Sequence, residues 1–295
     1  MEQGWIDLHA HTTASDGSLT PTQLVEAATS IGLEAIAVTD HDTADGVAEA
    51  VTAGANLGIR VVPGIEISAE VDSGTLHILG YEIDPDEKKF AAWIERLKQA
   101  RRDRNPKIIK NLQAMGIPIE LEQAEMKTGG GVVGRPHIAE ALLDIGAVST
   151  IQEAFDRYLD ASSPAYEHKF RYEPAEAFQM ILGAGGIPVM AHPHQTGRKG
   201  NDLYHLVAEL KDMGLGGIEV YYTHHTPEQC AFYMELADKC NLIQTGGTDF
   251  HGHMKREIQL GWGKGDLRVP ALLLKQLDER VAFIRDNYGT VQQRF

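Results

Sequence analysis

The sequence has few of the features that would indicate a disulfide-stabilised, secreted or membrane protein. Its two cysteines, Cys230 and Cys240, lie ten residues apart in a helical pattern, which excludes a Cys-x-x-Cys zinc knuckle and a disulfide framework. No apolar run reaches the length of about 18 residues that a membrane span requires. The first residues, MEQGWIDLHAH, lack the basic and apolar segments of a signal peptide. We therefore expect a cytoplasmic protein that does not contact a membrane.

Basic residues are also scarce. The chain has 27 Lys and Arg against 42 Asp and Glu, a net charge of −15 with neutral histidines. Because such a surface repels polyanions, it argues against binding of long nucleic acid through a basic face. Nothing in the sequence indicates an obligate protein partner.

Histidine, in contrast, is abundant. The 295-residue chain has 13 His, more than its 9 Tyr or 8 Phe. Apolar residues make up 43% of the chain, which is enough to bury a core without disulfides. Since metal binding is the commonest chemical use of imidazole, the composition indicates a globular protein with a metal site.

Short apolar segments alternate with helical patterns along most of the chain. Two helix starts have the capping-box pattern, at Thr20-Pro21-Thr22-Gln23 and at Thr226-Pro227-Glu228-Gln229. The alternation, with apolar runs such as AIAVTD and GIPVMAH, predicts a parallel sheet that is buried on both faces. The seven candidate strands favour a barrel and span residues 5–11, 35–41, 60–68, 76–83, 187–192, 217–222 and 242–250.

The alternation stops between Phe90 and Tyr172. This stretch contains a charged helix, the run Gly129-Gly130-Gly131 and two further helical patterns, without a clear strand. Long excursions from a compact fold are usually functional. We therefore predict an inserted helical cap domain over residues 96–167 and a barrel formed by residues 1–95 and 168–295. A decorated crossover connection is the alternative.

Polar residues cluster where the predicted strands end. His9 and His11 are two residues apart on an extended chain, so their side chains point to the same face. In parallel α/β barrels the C-terminal strand ends form one active-site mouth. A single histidine there is more often a structural residue than a ligand, but imidazoles and carboxylates at successive strand ends favour a transition-metal site. The set is His9, His11, His41, Glu66, His77, His192, Asp249 and His251.

The motifs DLHAH, TDHD, GIEIS, HILGY, AHP and GTDFH, with Asp16, occur in an order that resembles the PHP (polymerase and histidinol phosphatase) family. This resemblance implies a distorted (β/α)7 barrel with two or three divalent metals, most often manganese, with zinc or iron as alternatives. It implies a first metal position at His9, His11, Glu66 and Asp249, a second at Glu66, His77 and His192, and a third at Asp16, His41 and His251. Asp7 and Asp40 would orient imidazoles or form structural salt bridges.

The resemblance also suggests substrate contacts. In a PHP subgroup that acts on nucleotides, an Arg-x-His motif in the insert faces the substrate, and Arg135 and His137 match it; pairing of Arg135 with Glu140 is the alternative. His194 would contact phosphate or donate a proton to the leaving oxygen. Lys169 is either a further phosphate contact or a solvated lysine.

The length, the insert and the Arg-Pro-His motif resemble the subgroup that hydrolyses 3′,5′-nucleoside bisphosphates. The implied activity is removal of the 3′-phosphate, as in conversion of adenosine 3′,5′-bisphosphate to AMP, by metal-bridged hydroxide with Asp249, His192, Glu66 and Arg135 as catalytic residues. The expected partner is a small phosphorylated nucleotide or short RNA. The alternatives are a 5′-to-3′ exoribonuclease with the same site, a histidinol-phosphate phosphatase and a non-catalytic metal-binding module.

Overall fold

The computed structural model describes residues 4–291. Within them, one sheet has the strand order β7-β6-β5-β4-β3-β2-β1-β8. The strands are β1 (Trp5–Asp7), β2 (Ala35–Val38), β3 (Arg60–Ala69), β4 (Leu76–Tyr81), β5 (Ile187–Met190), β6 (Gly217–Tyr222), β7 (Ile243–Gly247) and β8 (Val269–Pro270). The sheet curls until β1 meets β7, where Leu8 N–H donates to Gly246 O over 3.0 Å. The predicted distorted barrel is confirmed.

The prediction of a wholly parallel sheet is wrong, because β4 runs antiparallel to both β3 and β5. Residues 70–75 connect β3 to β4, and a connection of six residues cannot make the crossover of a dozen or more that parallel neighbours require. This reversal matters for the site. His77 pairs with Ser68 near the end of β3, so the start of β4 lies at the same barrel edge as the C-terminal ends of the parallel strands.

Several strands also end earlier than predicted. β1 ends at Asp7, β2 at Val38 and β7 at Gly247, so the polar residues that follow lie in loops at the mouth of the barrel. Three residues in these loops have backbone φ angles that a strand does not adopt. Asp42, His192 and Asp249 have φ values of 56°, 25° and 58°, in the left-handed region that costs a non-glycine residue about 1–3 kcal/mol.

The helices begin largely where their capping signals predict. Thr20 Oγ1 accepts from Gln23 N and Gln23 Oε1 accepts from Thr20 N, and the Thr226–Gln229 pair repeats both bonds. The helices are α1 (Pro21–Ser30), α2 (Val47–Leu57), α3 (Lys88–Ala114), α4 (Leu121–Glu125), α5 (Arg135–Asp144), α6 (Ile151–Ala154), α7 (Pro174–Gly183), α8 (Gly200–Asp212), α9 (Pro227–Lys239) and α10 (Leu273–Val291). None of them, within residues 4–291, is both long and apolar enough to cross a membrane.

The segment between β4 and α7 is helical and has an apolar core of its own. This second core includes Ile108, Leu112, Leu142 and Leu159, whereas Phe90 at the start of α3 packs into the barrel core. Helix α3 therefore passes from one core to the other without a break. The boundary at residues 95 and 96 stays a prediction, and the structure places the change of core within α3.

Candidate metal centre

The nine predicted ligands converge at the mouth of the barrel. His9 and His11 follow β1, His41 follows β2, Glu66 lies on β3 and His77 on β4. Asp16 lies in the loop between β1 and α1, His192 follows β5, and Asp249 and His251 follow β7. Seven of the nine side chains are buried, the exceptions being the partly exposed His41 and His77; the full set is His9, His11, Asp16, His41, Glu66, His77, His192, Asp249 and His251.

The first predicted metal position forms a compact group. One potential ligand atom from each of His9, His11, Glu66 and Asp249 lies within 4.8 Å of the others. Glu66 Oε2 is 3.4 Å from His9 Nε2 and 3.3 Å from His11 Nε2. Asp249 Oδ1 is 3.2 Å from His11 Nε2. The structure thus brings together the four residues assigned to this position, and their ligation of a metal stays a prediction.

The other two positions share residues with the first. Asp16, His41 and His251 form a group that also includes His11. The third group consists of Glu66, His41 and His77. His192 Nε2 lies 2.9 Å from Glu66 Oε1, so His192 also reaches this carboxylate.

The donor atoms fit divalent metals. Several are buried without a hydrogen bond among the described residues, and they comprise His9 Nε2, His11 Nδ1 and Nε2, His41 Nδ1, Glu66 Oε2 and His192 Nδ1. A buried polar atom without a partner costs about 1–3 kcal/mol. Mixed imidazole and carboxylate donors suit transition metals, whereas Ca²⁺ and Mg²⁺ prefer oxygen ligands. The cluster is therefore able to bind divalent transition metals.

The electrostatics of the cluster also favour cations. Burial opposes ionisation of Glu66, but the imidazoles of His41 and His77 outweigh it and hold the pKa of this carboxyl well below its usual value. Burial likewise opposes protonation of His9. The carboxylates of Glu219 and Glu66 outweigh it and raise the pKa of this imidazole well above its usual value. The raised pKa of His9 thus lets a proton on this imidazole balance buried carboxylate charge when no metal does.

Sequence reasoning missed Glu219, which orients two of the candidate ligands. This fully buried residue of β6 lies with Oε1 2.9 Å from His9 Nδ1, while Oε2 accepts from His192 N over 2.7 Å. Since a carboxylate only accepts, the Nδ1–H of His9 donates and Nε2 is left for a metal. The signal was an acidic residue inside the apolar segment GIEVYY.

Among the described residues, Asp7 and Asp40 neither accept from an imidazole nor form a salt bridge, so both interpretations are wrong. Asp7 accepts from Thr248 Oγ1 over 2.6 Å and from Gly261 N over 2.9 Å. Asp40 accepts from Thr12 Oγ1 over 2.6 Å and from the hydroxyl of Ser15 over 2.5 Å. These two carboxylates instead fix the loops that carry the ligands.

Arg135 and His137 begin helix α5 as predicted from their motif. Arg135 does not pair with Glu140; it donates to Leu159 O over 2.9 Å, and its guanidinium lies 5.4 Å from the ring centroid of Tyr166. His137 is buried, and its Nδ1 accepts from Gly134 N over 2.9 Å. Their contact with a substrate stays a prediction.

Lys169 is not a solvated lysine. Its side chain is 6% exposed and pairs with the buried Asp42, which also accepts from Arg101 Nε over 3.0 Å. Arg104 is buried too, and its guanidinium donates to Asn105 Oδ1 over 2.9 Å. Burial, followed by the charges of Arg101 and Arg135, lowers the pKa of Arg104 to about 9.

We refer to Arg101, Arg104, Arg135 and Lys169 as the basic cluster. The sequence indicated a charged helix in this stretch, but Arg101 and Arg104 were not assigned to a site. Their charge was visible, but the inward orientation of both side chains depends on the packing of α3.

The surroundings of His194 limit what it can contact. His225 Nδ1 donates to Val220 O over 2.8 Å, which leaves its Nε2 to accept from His194 Nδ1 over 3.2 Å. Burial and the neighbouring His192 lower the pKa of His194 to about 4. A neutral ring that donates from Nδ1 has an unprotonated Nε2. The contact of His194 with phosphate and its donation of a proton to the leaving oxygen stay predictions.

The fold and the site define the class of protein. It is a barrel that has a buried candidate centre for divalent metals at its mouth. The sequence profile described as the PHP domain matches residues 7–174, more than half of the chain. The chain belongs to the PHP family of metal-dependent phosphoesterases.

Curated relatives agree with this assignment. The 3′,5′-nucleoside bisphosphate phosphatase of Chromobacterium violaceum is 34% identical over 247 residues, 83% of this chain and 87% of the relative. The 5′-3′ exoribonuclease of Haemophilus influenzae is 35% identical over 245 residues, 83% of this chain and 89% of the relative. The phosphoribosyl 1,2-cyclic phosphate 1,2-diphosphodiesterase of Eggerthella lenta is 34% identical over 269 residues, 90% of this chain and 99% of the relative.

A solved structure supports the fold over almost its whole length. A chain from Bifidobacterium adolescentis superposes with a TM-score of 0.84 at 30% identity, covering 95% of this chain and 97% of its own. The insert is therefore part of the shared architecture.

Replacement of Glu219 by Gln should weaken metal binding. An amide at this position accepts less strongly from His9 Nδ1, and loss of such an outer partner typically lowers metal affinity about 10–100-fold. Manganese titration of the metal-free protein measures the effect. Glu209→Gln on the exposed face of α8 is the control, and equal affinities of the two variants would contradict the orienting role.

Manganese binding should release protons and weaken in acid. Burial opposes protonation of His41, but Glu66 and Asp16 outweigh it and raise its pKa, and the pKa of His9 is raised as well. Both imidazoles therefore stay protonated to higher pH without metal, and each must become neutral to bind one. Apparent affinity should fall as the pH is lowered from about 8 to about 6. Calorimetry in buffers of different ionisation enthalpy measures the number of released protons. Manganese binding without proton release would contradict ligation by these residues.

Proposed function

We propose that this protein is a metal-dependent phosphohydrolase that removes the 3′-phosphate from 3′,5′-nucleoside bisphosphates, such as adenosine 3′,5′-bisphosphate. The observation that carries the proposal is the position of the basic cluster beside the candidate metal centre. Asp42 links the two. It follows His41 in the sequence, its N–H donates to Glu66 O over 2.8 Å, and its carboxylate pairs with Lys169.

The basic cluster has more positive charge than the protein balances. Among the described residues, Asp42 is the carboxylate with which its members form ion pairs. Arg104 is buried against the neutral amide oxygen of Asn105. Buried cations without a counter-ion are costly, and Arg and Lys are the usual donors to phosphate. A second phosphate on the substrate would supply the missing negative charge.

The candidate metal ligands would act on the 3′-phosphate, which is the phosphate that is hydrolysed. Divalent metals held by residues such as His9, Glu66 and Asp249 would lower the pKa of a bound water and neutralise charge on a phosphoryl group. The protein orients His9 through Glu219 and holds Asp249 through the Tyr222 hydroxyl, 3.0 Å from Oδ2. We propose two or three metals, with manganese preferred over zinc or iron.

One relative supports a second candidate function. The phosphodiesterase of Eggerthella lenta aligns over 99% of its length, so this chain matches it almost end to end. Its named substrate is a phosphoribosyl cyclic phosphate, which also combines the reacting ester with a further phosphate on ribose. The basic cluster suits either substrate. Hydrolysis of a ribose 1,2-cyclic phosphate is therefore the second candidate.

The remaining alternatives fit the site less well. Histidinol phosphate carries a cationic amine, which the basic cluster would repel. A non-catalytic module does not need a complete set of metal ligands. In this chain, all nine predicted ligands are His, Asp or Glu residues that lie at one mouth of the barrel. An exoribonuclease would use the same chemistry on a longer chain.

A substrate comparison tests the proposal. Manganese-loaded protein should release phosphate and AMP from adenosine 3′,5′-bisphosphate, and faster than it hydrolyses a 5′-phosphorylated trinucleotide, phosphoribosyl 1,2-cyclic phosphate or histidinol phosphate. Asp249→Asn should abolish this activity with the fold retained. Preference for the cyclic phosphate would support the second candidate function. Preference for the trinucleotide would indicate an exoribonuclease. Exclusive hydrolysis of histidinol phosphate would refute the use of a second phosphate.

Arg104→Met should raise the KM for adenosine 3′,5′-bisphosphate by about 10-fold or more, since a lost charged hydrogen bond is worth about 1.5–3 kcal/mol. The KM for adenosine 3′-monophosphate should change little, because that substrate lacks the second phosphate. Arg102→Met is the matched control, as Arg102 is exposed two residues away. An equal increase for both substrates would contradict a second-phosphate site.

A further inference from the structure

Asp249 presents its two carboxylate oxygens to different surroundings. Oδ1 faces the candidate ligands, 3.2 Å from His11 Nε2 and 3.4 Å from His251 Nδ1. Oδ2 accepts from the Tyr222 hydroxyl over 3.0 Å and from Lys255 Nζ over 2.7 Å. The Lys255 ammonium therefore contacts the candidate metal centre through the second oxygen of Asp249.

Lys255 differs from the other cations near the site. Among the Lys and Arg residues that the structure describes, it is the one that forms an ion pair with a predicted metal ligand. Its side chain is 37% exposed, whereas Lys169 in the basic cluster is 6% exposed. Because an ammonium has three N–H donors, Lys255 can bind a further anion that reaches the mouth of the barrel.

Asp249 has a second partner besides Lys255. The hydroxyl of the buried Tyr222 binds the same carboxylate oxygen. The turn that carries Lys255, Gly252–Lys255, is fixed separately, because His253 N donates to Ser18 Oγ over 2.9 Å. The backbone of the turn is thus held while the long side chain of Lys255 can change partners.

We propose that Lys255 is a substrate-binding residue that donates from Nζ to an oxygen of the phosphoryl group undergoing hydrolysis. It pairs with Asp249 when no phosphate is present. This inference rests on the proposed phosphohydrolase function and adds a cation to the reacting phosphate, at a position distinct from the basic cluster. Lysine suits this role because its charge is compact and its four-carbon side chain is flexible.

Phosphate binding by variants tests the inference. The probe is inorganic phosphate, titrated calorimetrically into manganese-loaded wild type, Lys255→Met, Lys255→Arg and Lys264→Met. Lys264 is exposed in the same loop and serves as the matched control. We expect Lys255→Met to weaken phosphate binding by about tenfold or more, Lys255→Arg to restore most of it and Lys264→Met to have no effect.

Manganese content and thermal unfolding of each variant complete the test. Both should be unchanged in Lys255→Met, since Tyr222 still holds Asp249. The proposal would be overturned if Lys255→Met bound phosphate as tightly as wild type or if wild type did not bind phosphate. It would also be overturned if phosphate affinity fell only because the variant had lost manganese. Inorganic phosphate is a product of any phosphomonoester hydrolysis. If wild type binds it through Lys255 but does not hydrolyse adenosine 3′,5′-bisphosphate, the proposed substrate alone is refuted.

Discussion

The site depends on one buried carboxylate, that of Glu66. Both of its oxygens lie within 3.4 Å of imidazoles, and these come from the ends of four different strands: His9, His11, His41, His77 and His192. An ionised group this deep in a barrel is stable only when opposite charge surrounds it. The imidazoles that stabilise this carboxylate are therefore also candidate metal ligands.

The rest of the fold serves this convergence. The reversal of β4 brings His77 to the mouth, and Gly247 lets β7 approach β1, where a Cβ would lie 2.3 Å from His9 N. Glu219 then fixes which nitrogen of His9 faces inward. The insert is joined to the centre electrostatically, because Asp42 next to His41 pairs with Arg101 on α3. The candidate metal centre and the basic cluster thus share one network of buried charge.

The candidate ligands could be predicted because each occupies a recognisable local position. His9 and His11 are two residues apart at the end of a predicted strand, and the motifs occur in a family order. Glu219 had no comparable signature, since one acidic residue in a strand resembles many structural ones until its partners are known. Asp7 and Asp40 were misread for the opposite reason, because adjacency to a ligand in sequence does not determine where a carboxylate points.

The sequence by itself predicted an α/β barrel with a metal site, since local periodicity and residue types at strand ends indicate both. The resemblance of its motifs to the PHP family added the assignment of candidate ligands to metal positions and the phosphoester chemistry. Only the tertiary structure decided the direction of β4, the partners of Lys169 and the two environments of Asp249. Lys169 and its partner Asp42 are 127 residues apart. Such pairings depend on how helices and loops pack in three dimensions, and no local pattern in the chain encodes them.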